Sequence, residues 1–450
     1  MRRQLFIVLL SVFCMGLSAQ TAHEELAADP HLAGSNYLAY PTPTKPLTPA
    51  PKGYKPFYLS HYGRHGSRFL INRHEYTTPV HILQHADSLG KLTEKGKETL
   101  NKIRIMSLEA DMRLGELTPL GAEQHRGIAR RMFERFPEIF EGNVYINAKS
   151  TIVIRCILSM SNELLELYAR NPQLRIVHDA SMHDMYYLNL RDEVLNKQRE
   201  NDATKEAIKA WEERHPIDNT PLMLRLFNDP QYVRDSINAD YMASRLFDLA
   251  NILQNTEARR QFDLYDLFTP DELYRHWQGS NRWWYTHYGA SPYNGGTQPF
   301  TQRNLLRKII EETDNCFRVN NVNYENDSYI KEQLGTSMPR IGATLRFGHE
   351  TVVMPLVCLL GINGYDQVID NLDDLEDKGW ICYRVFPMGA NLQFVFYRRD
   401  ANDQDILFKV MLNEEEATLP LPSENKPYYR WSDFREYYLK KLDSYNGAGQ

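Results

Sequence analysis

Apolar and polar positions alternate between two rhythms along the chain, and the switches between them mark its organisation. PFYLS (56–60) is a short apolar run that predicts a buried strand over 57–60. NVYINAKS (143–150), IGATLRFG (341–348), ICYRVFP (381–387) and NLQFVFYRR (391–399) read as further strands. Between the first two, ELTPLGAEQHRGIARRMFERF has a helical stripe with Thr118 as N-cap and Pro119 in the first helical position. TIVIRCILSMSNELLELYAR (151–170) and ETVVMPLVCLLG (350–361) are helix-like segments that each follow a strand.

From about 185 to 335 the rhythm is helical throughout. RDEVLNKQRENDATKEAIKAWEERH, DSINADYMASRLFDLANIL, TPDELYRHW and TQRNLLRKIIEETDNCF combine charged faces with apolar stripes. The expected architecture is an α/β core, residues 56–180 and 336–450, split by an all-helical insertion over 181–335. Residues 41–51, PTPTKPLTPAP, form an extended proline-rich part of a lead-in over 21–55. The acidic run NLDDLEDKGW (371–380) reads as a solvated loop.

The first 20 residues, MRRQLFIVLLSVFCMGLSAQ, read as a secretory signal cut near Ala19 or Gln20. Lipidation at Cys14 is the less favoured alternative, because bulky Phe13 precedes it. The expectation is an exported protein, periplasmic or secreted, with no integral membrane span. With 450 residues, 42% hydrophobic and 24% charged, the chain can bury a large core. A net charge of −6 argues against broad nucleic-acid binding, which needs a basic surface. Cys156, Cys316, Cys358 and Cys382 allow three pairings, and buried thiols or one bridge are the expected outcome.

Against this acidic background, HYGRHGSR (61–68) concentrates positive charge just after a strand, where α/β proteins bind ligands. Arg64 and Arg68 present planar forks suited to phosphate oxygens, glycines allow close backbone approach, and His65 between them is a nucleophile when neutral. The bland alternative is a charged surface turn. A metal-binding His61/His65 pair is disfavoured because Gly63 interrupts the helix such a pair would need. FGHETVV (347–353) places His349 and Glu350 after another strand; Val353 stands where a zinc-protease motif would need histidine. His349 can bind phosphate, and Glu350 can protonate a leaving oxygen. A helix N-terminus favours ionised Glu350, whereas burial and an anionic substrate favour the protonated form. Arg155 opens an apolar helix and must meet an anion or reach for water.

Taken together, RHGSR, ELTPLGAEQHRGIARRM, KSTIVIRCILS, FGHET and FPMGANLQFVFY resemble the motifs of the histidine acid phosphatases, branch 2 of the histidine phosphatase superfamily. Within that family, GHETVVMPLVCLLGI is most similar to the multiple inositol polyphosphate phosphatases. The resemblance implies a core with a central mixed sheet flanked by helices, plus a helical cap. It implies His65 as nucleophile, Glu350 as proton donor, and Arg64, Arg68, Arg155 and His349 as phosphate ligands, with no metal or cofactor. The implied substrate is a small phosphate ester, an inositol polyphosphate such as phytate first. A broad acid or sugar phosphatase, or an inactive phosphate- or glycan-binding protein, are the alternatives. Two departures stand out: Leu70 replaces a frequent proline, and the usual H-A-E is shortened to H-E. Arg275, Arg282, Arg303 and Arg307 are candidate cations for further phosphates, and HWQGSNRWWYTHYG (276–289) is either an aromatic platform or a packed corner.

Overall fold

The computed structural model describes residues 21–321 and 340–445. The expected signal segment and residues 322–339 lie outside them. Eight strands form one mixed sheet: β1 (Lys55–Arg64), β2 (Tyr145–Ser150), β3 (Arg175–Ala180), β4 (Ile341–Gly348), β5 (Asn391–Arg398), β6 (Leu407–Leu412), β7 (Glu415–Ala417) and β8 (Tyr429–Arg430). Their order is β3-β2-β4-β1-β5-β6-β7, with β8 also paired to β6. β3, β2, β4 and β1 run parallel, while β5 lies antiparallel to β1.

This order determines where chemistry can happen. β1 and β4 are adjacent, and their register places Arg64 opposite Gly348. β2 ends beside β4, with Ser150 opposite Phe347. Three segments far apart in sequence therefore end at one carboxyl edge, where an α/β sheet opens a crevice.

Alternation along the strands supplies both cores. Leu59, Ile146, Ala148, Ala343, Leu345, Phe347 and Val395 face one side, against Ile128, Met132, Met160, Leu164 and Leu167 of helices α1 (Pro119–Arg135) and α2 (Ile154–Arg170). Tyr58, Tyr62, Phe394 and Phe396 face the other, against Val352 and Leu356 of α3 (Glu350–Leu360) and Phe434 of α4 (Trp431–Asp443). Each fully buried large side chain of this kind is worth about 1.5–3 kcal/mol. Buried Arg346 on β4 is paired with Glu312, so its charge is compensated. Between β3 and β4 the described residues contain helices and 3₁₀ turns.

Several elements differ from the sequence reading. β1 continues through Arg64, because β4 and β5 pair with it along that whole length. Residues 381–387 are not a strand: Cys382–Arg384 is a 3₁₀ turn. The side chain of Asn281 satisfies the backbone there, donating to Trp380 O at 3.0 Å and accepting from Cys382 N at 2.8 Å. The acidic run 371–380 is anchored by buried Leu372, Leu375 and Trp380, so only part of it is solvated. Cys156, Cys316, Cys358 and Cys382 are all buried free thiols.

Candidate active site

Backbone bonds pin the loop after β1 to its neighbours. His65 N–H donates to Gly348 O at 3.0 Å, Arg64 N–H to Ala390 O at 2.7 Å, and Gly389 N–H to His65 O at 2.9 Å. The next two amides are met by side chains from the helices beneath. Gly66 N–H donates to Ser159 Oγ at 3.1 Å, and Ser67 N–H to Gln124 Oε1 at 2.9 Å. Ser67 O accepts from Thr118 N at 2.8 Å, and Thr118 caps α1 through Gly121 N. The expectation that backbone amides of this loop would receive an anion is thus corrected for Gly66 and Ser67. These glycines serve close packing: a Cβ on Gly66 would strike Gly121 O, and one on Gly121 would strike Ser67 O.

With the loop fixed, the side chains converge. Nδ1 of His65 bonds to its neighbour's carbonyl, Gly66 O, at 2.8 Å. That bond assigns the proton to Nδ1 and leaves the Nε2 lone pair available. Burial holds the His65 imidazole well below the ordinary histidine range, outweighing the neighbouring Glu350 carboxylate. The ring of His349 is 5.8 Å from that of His65, and its Nε2 is 3.4 Å from Thr151 Oγ1. Burial lowers His349 to about 4.

Three guanidiniums surround this pair. Arg64 donates from Nη1 to Asn36 O at 2.6 Å and Phe386 O at 2.8 Å, and its Nε lies 3.0 Å from Glu350 Oε2. Arg68 donates to Phe69 O at 2.8 Å, with its guanidinium 5.5 Å from the centre of the Tyr37 ring. Arg155 reaches Gly115 O at 3.4 Å. Among the described residues, Arg64 Nη2, Arg68 Nε and Arg155 Nε are buried without a hydrogen-bond partner. Burial and mutual repulsion lower Arg155, and burial lowers Arg64 to about 10. Three cations sharing one carboxylate form a site short of negative charge, with buried donors to spare.

Glu350 is the first residue of α3, with His349 as its N-cap. Burial pushes its carboxyl up, but the guanidiniums, Arg64 above all and Arg68 with it, hold it well below the usual carboxylate range. One atom each from His65, His349 and Glu350 lies within 4.8 Å of the other two, a spacing a metal could use. The donor set does not fit a cation: Arg64, Arg68 and Arg155 face the same space, and Glu350 is already paired with Arg64.

All six predicted site residues thus meet at one sheet edge. The candidate cap arginines are placed elsewhere. Arg303 pairs with Asp192 at 2.8 Å, Arg307 with Asp443 at 2.7 Å, and buried Arg282 stacks 4.1 Å over Trp211. Arg275 lines a separate cavity with His23, Arg214 and Tyr274. From the helical stretch, Tyr288 interacts electrostatically with Glu350, and Arg199 lies 4.9 Å over the Tyr288 ring. Most of the aromatic cluster is core: Trp277 and Tyr285 are fully buried, while Trp283 is exposed and stacked on His287. Sequence reasoning assigned no role to Gln124, Ser159, Tyr37 or Arg199, and singled out Tyr288 only as part of the aromatic stretch 276–289. Only Gln124 and Ser159 left a trace, one three positions after Gly121 and the other four after Arg155.

These features define a histidine phosphatase. The chain belongs to the histidine phosphatase superfamily (branch 2), whose model matches residues 63–413. Its fold is similar to that of the Bifidobacterium longum multiple inositol polyphosphate phosphatase in complex with inositol hexasulfate, at 17% identity and a TM-score of 0.70, covering 90% of this chain and 97% of that one. The phytase from D. castellii is similar at 14% identity and a TM-score of 0.66, covering 92% and 86%. The Hafnia alvei phytase in complex with myo-inositol hexakis sulphate is similar at 14% identity and a TM-score of 0.53, covering 87% and 98%. No significant sequence match was found among curated proteins.

Proposed function

We propose that this protein hydrolyses phosphate monoesters through a phosphohistidine on His65, and that its principal substrates are inositol polyphosphates such as phytate. The observation that carries the reading is the buried Nε2 of His65, without a hydrogen-bond partner among the described residues and with Arg64 and Arg155 beside it.

Phosphoryl transfer asks a protein mainly to position the group and to neutralise charge on its equatorial oxygens. The guanidiniums and His349 bind those oxygens. Nε2 attacks phosphorus opposite the leaving oxygen, while the Nδ1–H···O=C bond to Gly66 fixes the ring. Glu350 delivers a proton to the departing alkoxide, and the same carboxylate then takes a proton from the water that cleaves the N–P bond.

The substrate class rests on the structural neighbours and on the helical stretch. Structural neighbours were solved with inositol hexasulfate and myo-inositol hexakis sulphate. On this reading the described helical residues 181–321 serve as a cap: Tyr288 interacts electrostatically with Glu350, and Arg199, lying 4.9 Å over the Tyr288 ring, adds a fourth cation. The charged N-terminal segment supports export. Among the described residues, no helix is long and apolar enough to cross a membrane.

The test is phosphate release from phytate, glucose 1-phosphate and an aryl phosphate. Preference for phytate supports the full reading. Equal rates on all three support a broad acid phosphatase, and tight phosphate binding without turnover supports a binding protein.

A further inference from the structure

The geometry points to Glu350 as an internal stand-in for the substrate: without ligand its carboxylate occupies the phosphate seat, and an incoming phosphate displaces it and leaves it protonated. The inference rests on the functional reading above and adds how the proton donor is loaded.

Distances carry the argument. Glu350 Oε2 is 3.6 Å from His65 Nε2 and 3.0 Å from Arg64 Nε. A phosphorus poised for attack must stand about 3–3.5 Å from that same nitrogen. The carboxylate oxygen and the phosphoryl group therefore compete for one position and one guanidinium edge. The glutamate is 13% exposed and hangs on a side chain with three torsions, so it can leave without moving α3.

Displacement changes its protonation. Facing the carboxyl group are Arg64, His65 and Tyr62 from β1 and its end, Arg68 from the loop, Arg155 and Cys156 from α2, and His349 beside it. Tyr37 approaches from the N-terminal segment and Tyr288 from the helical stretch. Arg64 makes the largest contribution to keeping the carboxyl ionised. A bound dianion takes over Arg64 and adds repulsion, and both changes favour the neutral acid. Glu350 then takes one proton from solvent. As the His65 Nε2–P bond forms and the P–O bond breaks, that proton passes to the leaving oxygen, which departs as an alcohol, and Glu350 is again a carboxylate.

Sulfate is the probe, because it is a dianion that does not titrate near neutrality. Its binding to the full chain is followed by calorimetry at about pH 5, in buffers of different ionisation heat. Wild type should take up about one proton more per sulfate than Glu350→Gln does. The variant, lacking the competing charge, should bind sulfate about tenfold more tightly, with circular dichroism confirming its fold. Equal proton uptake, or no gain in affinity, overturns the inference. Efficient ester hydrolysis with equal uptake rejects this inference alone. Normal uptake without turnover rejects the functional reading alone.

Discussion

The side-chain carbonyl of Gln124 accepts the backbone N–H of Ser67 at 2.9 Å. The bond crosses from α1 to the loop two residues after His65, so the orientation of the proposed nucleophile is set partly by a glutamine that need not touch substrate. Replacing it by leucine leaves a buried amide unsatisfied, a penalty of about 1–3 kcal/mol. Gln124→Leu should lower the melting temperature and also reduce kcat by about 10- to 100-fold, because small misplacements of reacting groups are expensive. Thermal melts and steady-state kinetics check this; unchanged kcat in a folded variant would show that the loop holds itself.

His61 is buried against Phe347, and neither ring nitrogen has a hydrogen-bond partner among the described residues. Burial lowers it from 6.5 to about 3. The unfolded chain therefore binds a proton that the folded chain excludes across that interval. Stability contributed by neutral His61 is full above about pH 6.5 and is lost progressively as pH falls toward about 3, at up to about 1.4 kcal/mol per pH unit. His61→Leu should flatten the fall in unfolding free energy between about pH 6 and 4. Denaturant titrations across that range provide the measurement, and the slope decides the matter whatever the variant's absolute stability.

Arg199 is held over Tyr288 at 4.9 Å and paired with Glu200 at 3.1 Å. A cation there meets a substrate only if phosphates extend beyond the one under attack. Arg199→Ala should lower kcat/KM for phytate by about tenfold and leave an aryl phosphate within about twofold. Parallel losses on both substrates would assign Arg199 to the architecture of the cap instead.

The parts of this protein legible from sequence are those where burial writes a pattern. β1, β4 and β5 are largely buried runs because neighbours cover both their faces, β2 alternates buried and half-buried positions, and Arg64, His65, His349 and Glu350 stand at the ends of β1 and β4. β3 (RIVHDA) escaped notice because it is an edge strand with largely exposed side chains. β6 carries Lys409 in its middle, a residue that reads as surface but is buried and paired with Glu416 at 2.8 Å. Residues 381–387 have a strand's composition, yet their backbone bonds locally and to side chains from afar, Asn281 to Cys382 N, Tyr365 to Ile381 O and Arg64 to Phe386 O. The scaffolding of the site was hidden for a similar reason. Gln124 and Ser159 are polar residues on helices, and only the fold reveals that they point at the loop. The ionised state of Glu350 was foreseeable from its helix N-terminus, but its partner Arg64 comes from another strand.

The central claim is covalent chemistry at His65. The direct measurement is rapid quenching of the enzyme during turnover of a phosphate-labelled substrate, followed by peptide mapping under alkaline conditions, which preserve phosphohistidine. The account predicts label on the peptide containing His65, and loss of both label and turnover in His65→Ala. Steady turnover with label on another residue, or more than about a tenth of wild-type activity in His65→Ala, would contradict it.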